Sequence, residues 1–222
     1  MPKHTNNRLN AVETNDHLER GIRALRRKCP VMREIHDQTG LPPLRRSTPG
    51  FAGLARIIIA QQLSVASAEA IWARCEAAIH PMEAETVRNL DDTVMQAAGL
   101  SRPKIRTLRA LANAVLDEDL DLEATADLSD VDIRASLIAV SGIGPWTADI
   151  FLLFCLGRPD AFAPGDLALQ IAAQNAFALE KRPSQAELID LSEVWRPWRG
   201  VAARLLWSYY GTLKKNKPKT PL

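Results

Sequence analysis

From Val140 to Ala148 the chain reads Val-Ser-Gly-Ile-Gly-Pro-Trp-Thr-Ala, with a helical apolar pattern on either side. No other stretch constrains the fold as tightly. Two glycines two apart permit a tight reversal and leave backbone free to approach a ligand. Pro145 stands where a helix accepts it, in the first turn, where its missing N–H would have had no intrahelical partner. The pattern predicts two short helices, 133–140 and 146–156, the second stopped by Gly157, forming a hairpin over 133–156. The N–H groups of Gly142, Gly144 and the second helix's first turn then point outward, a small anion site sized for one phosphate.

The remaining chain repeats apolar residues at helical spacing. Leu18, Ile22, Leu25, Val31 and Ile35 predict an amphipathic helix over 17–37, after a flexible stretch 1–16. Thr39-Gly40-Leu41-Pro42-Pro43 forces a loop that Pro49-Gly50 closes. A helix from Phe51 places Leu54, Ala55, Ile58, Ile59 and Gln62 on one stripe, and Ser64 caps the next, which runs to His80 before Pro81. Asp91, Asp92 and Gly99 bracket a short helix, and Ser101 opens one carrying Ile105, Leu108, Leu111, Ala112 and Val115. Eight acids between Asp117 and Asp132 read as a solvated connector, after which Ser129 and Asp132 resemble a capping box. Ala and Leu dominate, aromatics are only 5%, and no useful run alternates as a strand does. The expected fold is all-α.

The three cysteines, Cys29, Cys75 and Cys155, are too few and too far apart for a disulfide framework, a zinc site or a four-cysteine iron–sulfur cluster. They read as small buried hydrophobes in a reducing compartment. His4, His17, His36 and His80 form no cluster. The polar start Met1-Pro2-Lys3-His4 lacks a signal-peptide core, and no apolar run approaches the roughly 18 residues that span a bilayer. A cytoplasmic protein is expected, nucleoid-associated if bacterial, with no membrane partner. Its net charge of +2 is uneven: residues 1–50 hold 10 Lys/Arg against 5 Asp/Glu, 51–130 hold 7 against 13, and 131–222 hold 11 against 8. That allows a modest cationic footprint rather than an extended polyanion groove.

Twenty positions beyond the hairpin glycines stands Phe162-Ala163-Pro164-Gly165-Asp166, leading into an apolar helix over 167–179. Asp166 reads locally as the N-cap of that helix. A Gly-x-Gly hairpin followed by a Gly/Pro loop and this Asp resembles the helix-hairpin-helix Gly/Pro/Asp DNA glycosylases. Three segments narrow the resemblance to the DNA-3-methyladenine glycosylase II family: Gly142-Ile143-Gly144-Pro145-Trp146-Thr147-Ala148, Ala60-Gln61-Gln62-Leu63-Ser64-Val65-Ala66-Ser67-Ala68, and Trp195-Arg196-Pro197-Trp198-Arg199. Together with the Asp166 loop they cover roughly residues 50–210. The larger members of that family begin with a β-containing domain, so this chain resembles a compact form.

The resemblance implies a two-lobed helical fold with a substrate cleft between the lobes. Residues 50–164 would form the central lobe with the hairpin, and 17–49 would return to pack with 165–222. It implies Asp166 as the catalytic carboxylate, with Trp146 and Phe162 in the base pocket. Gly142, Gly144 and Thr147 of the hairpin and Gln62, Leu63 and Ser64 of the inter-helix turn would contact DNA, with Gln62 or Leu63 filling the gap left by a flipped nucleotide. Backbone carbonyls of Ile138, Val140 and Ile143 would hold a structural Na⁺ or K⁺; no cofactor is required and no iron–sulfur cluster is expected. Family members that also cut the strand carry a Lys where this chain has Trp146, so a monofunctional enzyme is implied. An indole face suits a cationic base such as 3-methyladenine. The partner is duplex DNA containing alkylated bases, and a monomer is expected. Two alternatives stand beside this: a non-catalytic hairpin protein that binds DNA structures, and an endonuclease III-like glycosylase for other lesions. Arg196 and Arg199 read as packing residues, Lys104 as solvated, and Trp207 as core.

Overall fold

The computed structural model describes residues 11–126 and 128–215, and every regular element among them is helical. The α-helices are α1 (Asn15–Lys28), α2 (Pro30–Thr39), α3 (Gly50–Ala60), α4 (Val65–Ala78), α5 (Ala84–Asn89), α6 (Asp92–Ala97), α7 (Arg102–Leu116), α8 (Asp130–Ala139), α9 (Pro145–Ile150), α10 (Leu167–Ala176), α11 (Gln185–Ser192) and α12 (Arg199–Lys215). They fall into two compact units, a contiguous central one over 47–156 and a terminal one made of 11–46 with 157–215.

In the central unit α3 packs on α4, α7 and α9, while α8 packs on α9. Leu54, Ile58, Ile59, Leu108, Leu111, Ile133 and Phe151 are fully buried, each contributing about 1.5–3 kcal/mol of hydrophobic stabilisation. Three helix starts lie where their caps predict. Ser64 Oγ accepts the Ser67 N–H at 3.1 Å, Asp91 Oδ1 the Thr93 N–H at 2.7 Å, and Ser129 Oγ the Asp132 N–H at 3.2 Å. The second half of the expected box differs, because Asp132 Oδ2 takes the Ser129 hydroxyl at 2.6 Å. Six-residue α5 was not anticipated, being too short to show a period. Beyond Ile150, α9 continues as a wider turn over Phe151–Cys155, with the Leu156 N–H reaching the Phe151 carbonyl at 3.1 Å.

In the terminal unit α12 packs on α1, α2 and α10. The single helix expected over 17–37 is two helices. Pro30 has no N–H and its ring excludes the preceding turn, so the chain breaks at Cys29 and restarts with Pro30 as first residue of α2. The break re-phases the face: Met32 and Ile35 are buried and Val31 is only half-buried. Ala11 and Val12, expected in a flexible stretch, are buried, and the Val12 N–H donates to the Gly157 carbonyl at 2.7 Å. Residues 1–10, Asp127 of the acidic connector and residues 216–222 lie outside the described residues.

The passage between units falls at 156/157, eight residues before the expected 164/165. The reason is Gly200. Its N–H bonds the Pro159 carbonyl at 2.8 Å, and a side chain there would meet the carbonyls of Pro159, Arg158 and Ala161 at 2.9–3.1 Å. Residues 158–163 are thereby laid against α12. No helix among the described residues is long and apolar enough to cross a membrane.

Candidate active site

The hairpin closes through the Ile143 N–H, which donates to the Val140 carbonyl at 3.0 Å. Its arms are tied by an ion pair: Arg134 Nε on α8 reaches Asp149 Oδ1 on α9 at 2.9 Å, and Asp149 is 5% exposed. The two glycines do different things. Gly142 has φ +87°, and a Cβ there would lie 2.0 Å from Thr107 Oγ1, so this residue lets the turn settle on α7. Gly144 has φ −98°, and a Cβ there would meet nothing within 4 Å. The protein leaves open space beside its backbone. Trp146 follows, half-buried, in the first turn of α9. Thr147, expected to face DNA, is 2% exposed, and its Oγ1 accepts Gln61 Nε2–H at 2.8 Å.

That hydrogen bond reaches the turn between α3 and α4. Gln62, with φ +57°, stands exposed at its tip, and Leu63 and Ser64 follow, also exposed. The Leu63 N–H returns to the Ala60 carbonyl at 3.2 Å. Lys104 is not simply solvated. Its Nζ donates to the Ile59 carbonyl at 2.6 Å, satisfying the end of α3, where a cation also meets the helix dipole favourably. Burial holds its ammonium pKa below the usual lysine value. Replacing Lys104 by Met is expected to cost about 1.5–3 kcal/mol, the range for a charged hydrogen bond. The melting temperature would fall by roughly 5–10 °C. Unchanged melting would make Lys104 a bystander.

In the terminal unit Asp166 is the N-cap of α10, half-buried at the end of the Pro164-Gly165 loop. Its Oδ1 accepts two N–H groups, from Leu169 at 3.0 Å and from Trp207 Nε1 at 3.1 Å. The loop itself is held by the Asp166 N–H on the Ala163 carbonyl at 3.0 Å and by Gln170 Nε2 on the Pro164 carbonyl at 2.9 Å. Trp207, read from sequence as core, is thus a donor to the carboxylate. Phe162, expected in the base pocket, is instead core: 7% exposed and edge-on to buried Trp195 at 5.9 Å. Arg199 grips Asp160 with Nε at 3.0 Å and a terminal nitrogen at 2.9 Å, and Arg196 pairs with Asp160 and, at 2.7 Å, with Glu193. The Arg196 hydrogen bond holds the Glu193 carboxyl below its usual pKa range.

Sequence reading missed Gln61, Thr107 and the indole donor of Trp207. Only the Trp207 role carried a local signal, since a buried indole needs an acceptor for its N–H. No group of three or more His, Cys, Asp or Glu among the described residues is placed to hold a metal ion.

The glycine hairpin is thus seated on α7, and some twenty residues later Asp166 caps α10 and accepts an indole N–H. Residues 55–197 match the HhH-GPD superfamily of base excision DNA repair proteins, and the chain belongs to that superfamily. It is 30% identical over 175 residues to DNA-3-methyladenine glycosylase 1 of Schizosaccharomyces pombe, covering 77% of each chain. It is 34% identical over 170 residues to DNA-3-methyladenine glycosylase of Saccharomyces cerevisiae, covering 72% of this chain and 57% of that protein. Among solved structures, the S. pombe 3-methyladenine DNA glycosylase Mag1 in complex with abasic DNA matches with a TM-score of 0.80 at 25% identity, covering 90% of this chain and 100% of the other.

Proposed function

We propose that the protein is a monofunctional DNA glycosylase that flips an alkylated, cationic purine such as 3-methyladenine from duplex DNA and hydrolyses its glycosidic bond, leaving an abasic site. The observation that carries this is the fixed carboxylate of Asp166, whose Oδ1 is held by the Leu169 N–H and the Trp207 indole. As the C1′–N bond breaks, its electron pair neutralises the departing cationic base and the deoxyribose becomes an oxocarbenium ion. A preplaced anion stabilises that charge without reorganising. Water then adds to C1′ and its proton passes to solvent. An alkylated purine leaves readily, so positioning and one negative charge suffice.

Trp146 supports both the substrate and the absence of strand cleavage. An indole is electron-rich and suits a cationic base, and it has no amine to form an imine with the sugar. Gly144, with open space where a side chain would be, and the first N–H groups of α9 receive one phosphate. Gln62 and Leu63, exposed on the α3–α4 turn, take the place of the flipped nucleotide. Backbone carbonyls of Ile138, Val140 and Ile143 would hold a monovalent cation, which would supply positive charge at the hairpin. Similarity to proteins named 3-methyladenine glycosylases supports the same reading.

The test is release of free base from methylated duplex DNA. Methylpurine should appear in solution with intact abasic strands, and borohydride should trap no protein–DNA adduct. Strand cleavage with a trapped adduct would overturn the mechanism, and an inert protein would overturn the activity.

A further inference from the structure

We propose that Gln61 is a positioning residue that registers the nucleotide-displacing turn on the phosphate-binding hairpin through Thr147. The inference rests on the glycosylase reading above and adds the link between two of its parts. Gln61 is the residue at which α3 ends, half-buried, with its N–H on the Ile58 carbonyl at 3.3 Å. Its side chain crosses 86 positions of sequence to donate to Thr147 Oγ1 at 2.8 Å. The next residue, Gln62, turns the chain through φ +57° into the exposed tip.

The arrangement is stiff on both sides of the bond. Lys104 Nζ holds the Ile59 carbonyl at 2.6 Å and the Leu63 N–H holds the Ala60 carbonyl at 3.2 Å, so backbone on either side of Gln61 is fixed. Thr147 is 2% exposed in the first turn of α9, next to Trp146, and α3 packs directly on α9. The Thr147 hydroxyl is shielded from solvent, so losing the Gln61 donor leaves it unsatisfied. The consequence is a shared coordinate. Where the hairpin grips a phosphate, the tip of the α3–α4 turn is set relative to that grip, and the gap-filling side chain meets the duplex at a defined depth.

The experiment uses the full chain with Gln61→Met, Thr147→Val, the double variant and Thr147→Ser. Each is bound to duplex DNA carrying a stable abasic-site analogue beside 2-aminopurine, whose fluorescence reports unstacking, and each is assayed for methylpurine release. Gln61→Met and Thr147→Val should each lose about tenfold in kcat, the equivalent of one hydrogen bond. KM should change little, and the fluorescence rise should shrink in parallel. The double variant should lose no more than either single, and Thr147→Ser, which keeps the hydroxyl, should behave as wild type. Additive losses, a Thr147→Ser loss equal to that of Thr147→Val, or single variants as fast as wild type would overturn the proposal. A wild-type protein that neither releases base nor raises the fluorescence would instead overturn the glycosylase reading itself.

Discussion

Asp166→Asn is expected to lower methylpurine release by on the order of 10²–10³-fold, the loss seen when one preorganised electrostatic group is removed from a transition state, while DNA binding and folding stay close to wild type. The structure explains why the substitution isolates charge. Two donors to this side chain, Leu169 N–H at 3.0 Å and Trp207 Nε1–H at 3.1 Å, fall on Oδ1. An Asn can present its carbonyl oxygen to the same two groups. Asn and Asp cap helices about equally well, so α10 should persist. The fold loses the attraction between a carboxylate and the helix dipole, about 0.3–1 kcal/mol. Single-turnover rates and a binding titration on the same methylated duplex measure the two effects separately. Turnover at the wild-type rate would remove Asp166 from the mechanism. A parallel loss of binding and melting temperature would reduce it to a cap.

Gly142→Ala is expected to unsettle the central unit, whereas Gly144→Ala should leave the fold alone and act on DNA. At Gly142 an added methyl would meet Thr107 Oγ1 at 2.0 Å and Thr107 Cβ at 2.9 Å, and the backbone stands at φ +87°. Thr107 is buried, with its hydroxyl on the Pro103 carbonyl at 3.1 Å, so it has little room to yield. The backbone strain costs on the order of 1–3 kcal/mol and the overpacking typically another 1–3 kcal/mol. A fall of roughly 10 °C in melting temperature follows. At Gly144 the φ is −98° and no atom lies within 4 Å of the added carbon, so melting should not move. A methyl there stands where a phosphate would approach, and affinity for duplex DNA should drop. Equal melting for both variants would contradict the division of labour between the glycines.

Much of this was legible because the signals are local. Ser64, Asp91 and Ser129 bond N–H groups two or three residues ahead, so a cap is written within a few positions of the helix it opens. The hairpin and Asp166 were legible for the same reason. Pro30 carried its own signal, but the apolar spacing through it favoured one continuous helix. What stayed hidden depends on distant partners. Lys104 looks solvated until α3 brings the Ile59 carbonyl to it. Gln61 sits beside another Gln, and nothing local says which one turns inward to Thr147 and which outward. Phe162 follows the same logic: adjacency to the Asp166 loop suggested a pocket, but the ring packs edge-on with buried Trp195.

The terminal unit is assembled from both ends of the described chain. Leu18, Ile22, Leu25, Met32 and Ile35 are buried on α1 and α2, which pack on α12, and Gly21 lies close against Val201 and Trp198. Residues 47–156, by contrast, form their unit contiguously. A ribosome delivers the chain from its N-terminus and contiguous stretches close first, so the hairpin takes shape while α1 and α2 still wait for a partner. Trp207, the indole that steadies Asp166, emerges only with that partner. A nascent chain is therefore able to close its glycine hairpin before the carboxylate of Asp166 receives its indole partner, and the terminal unit is completed last.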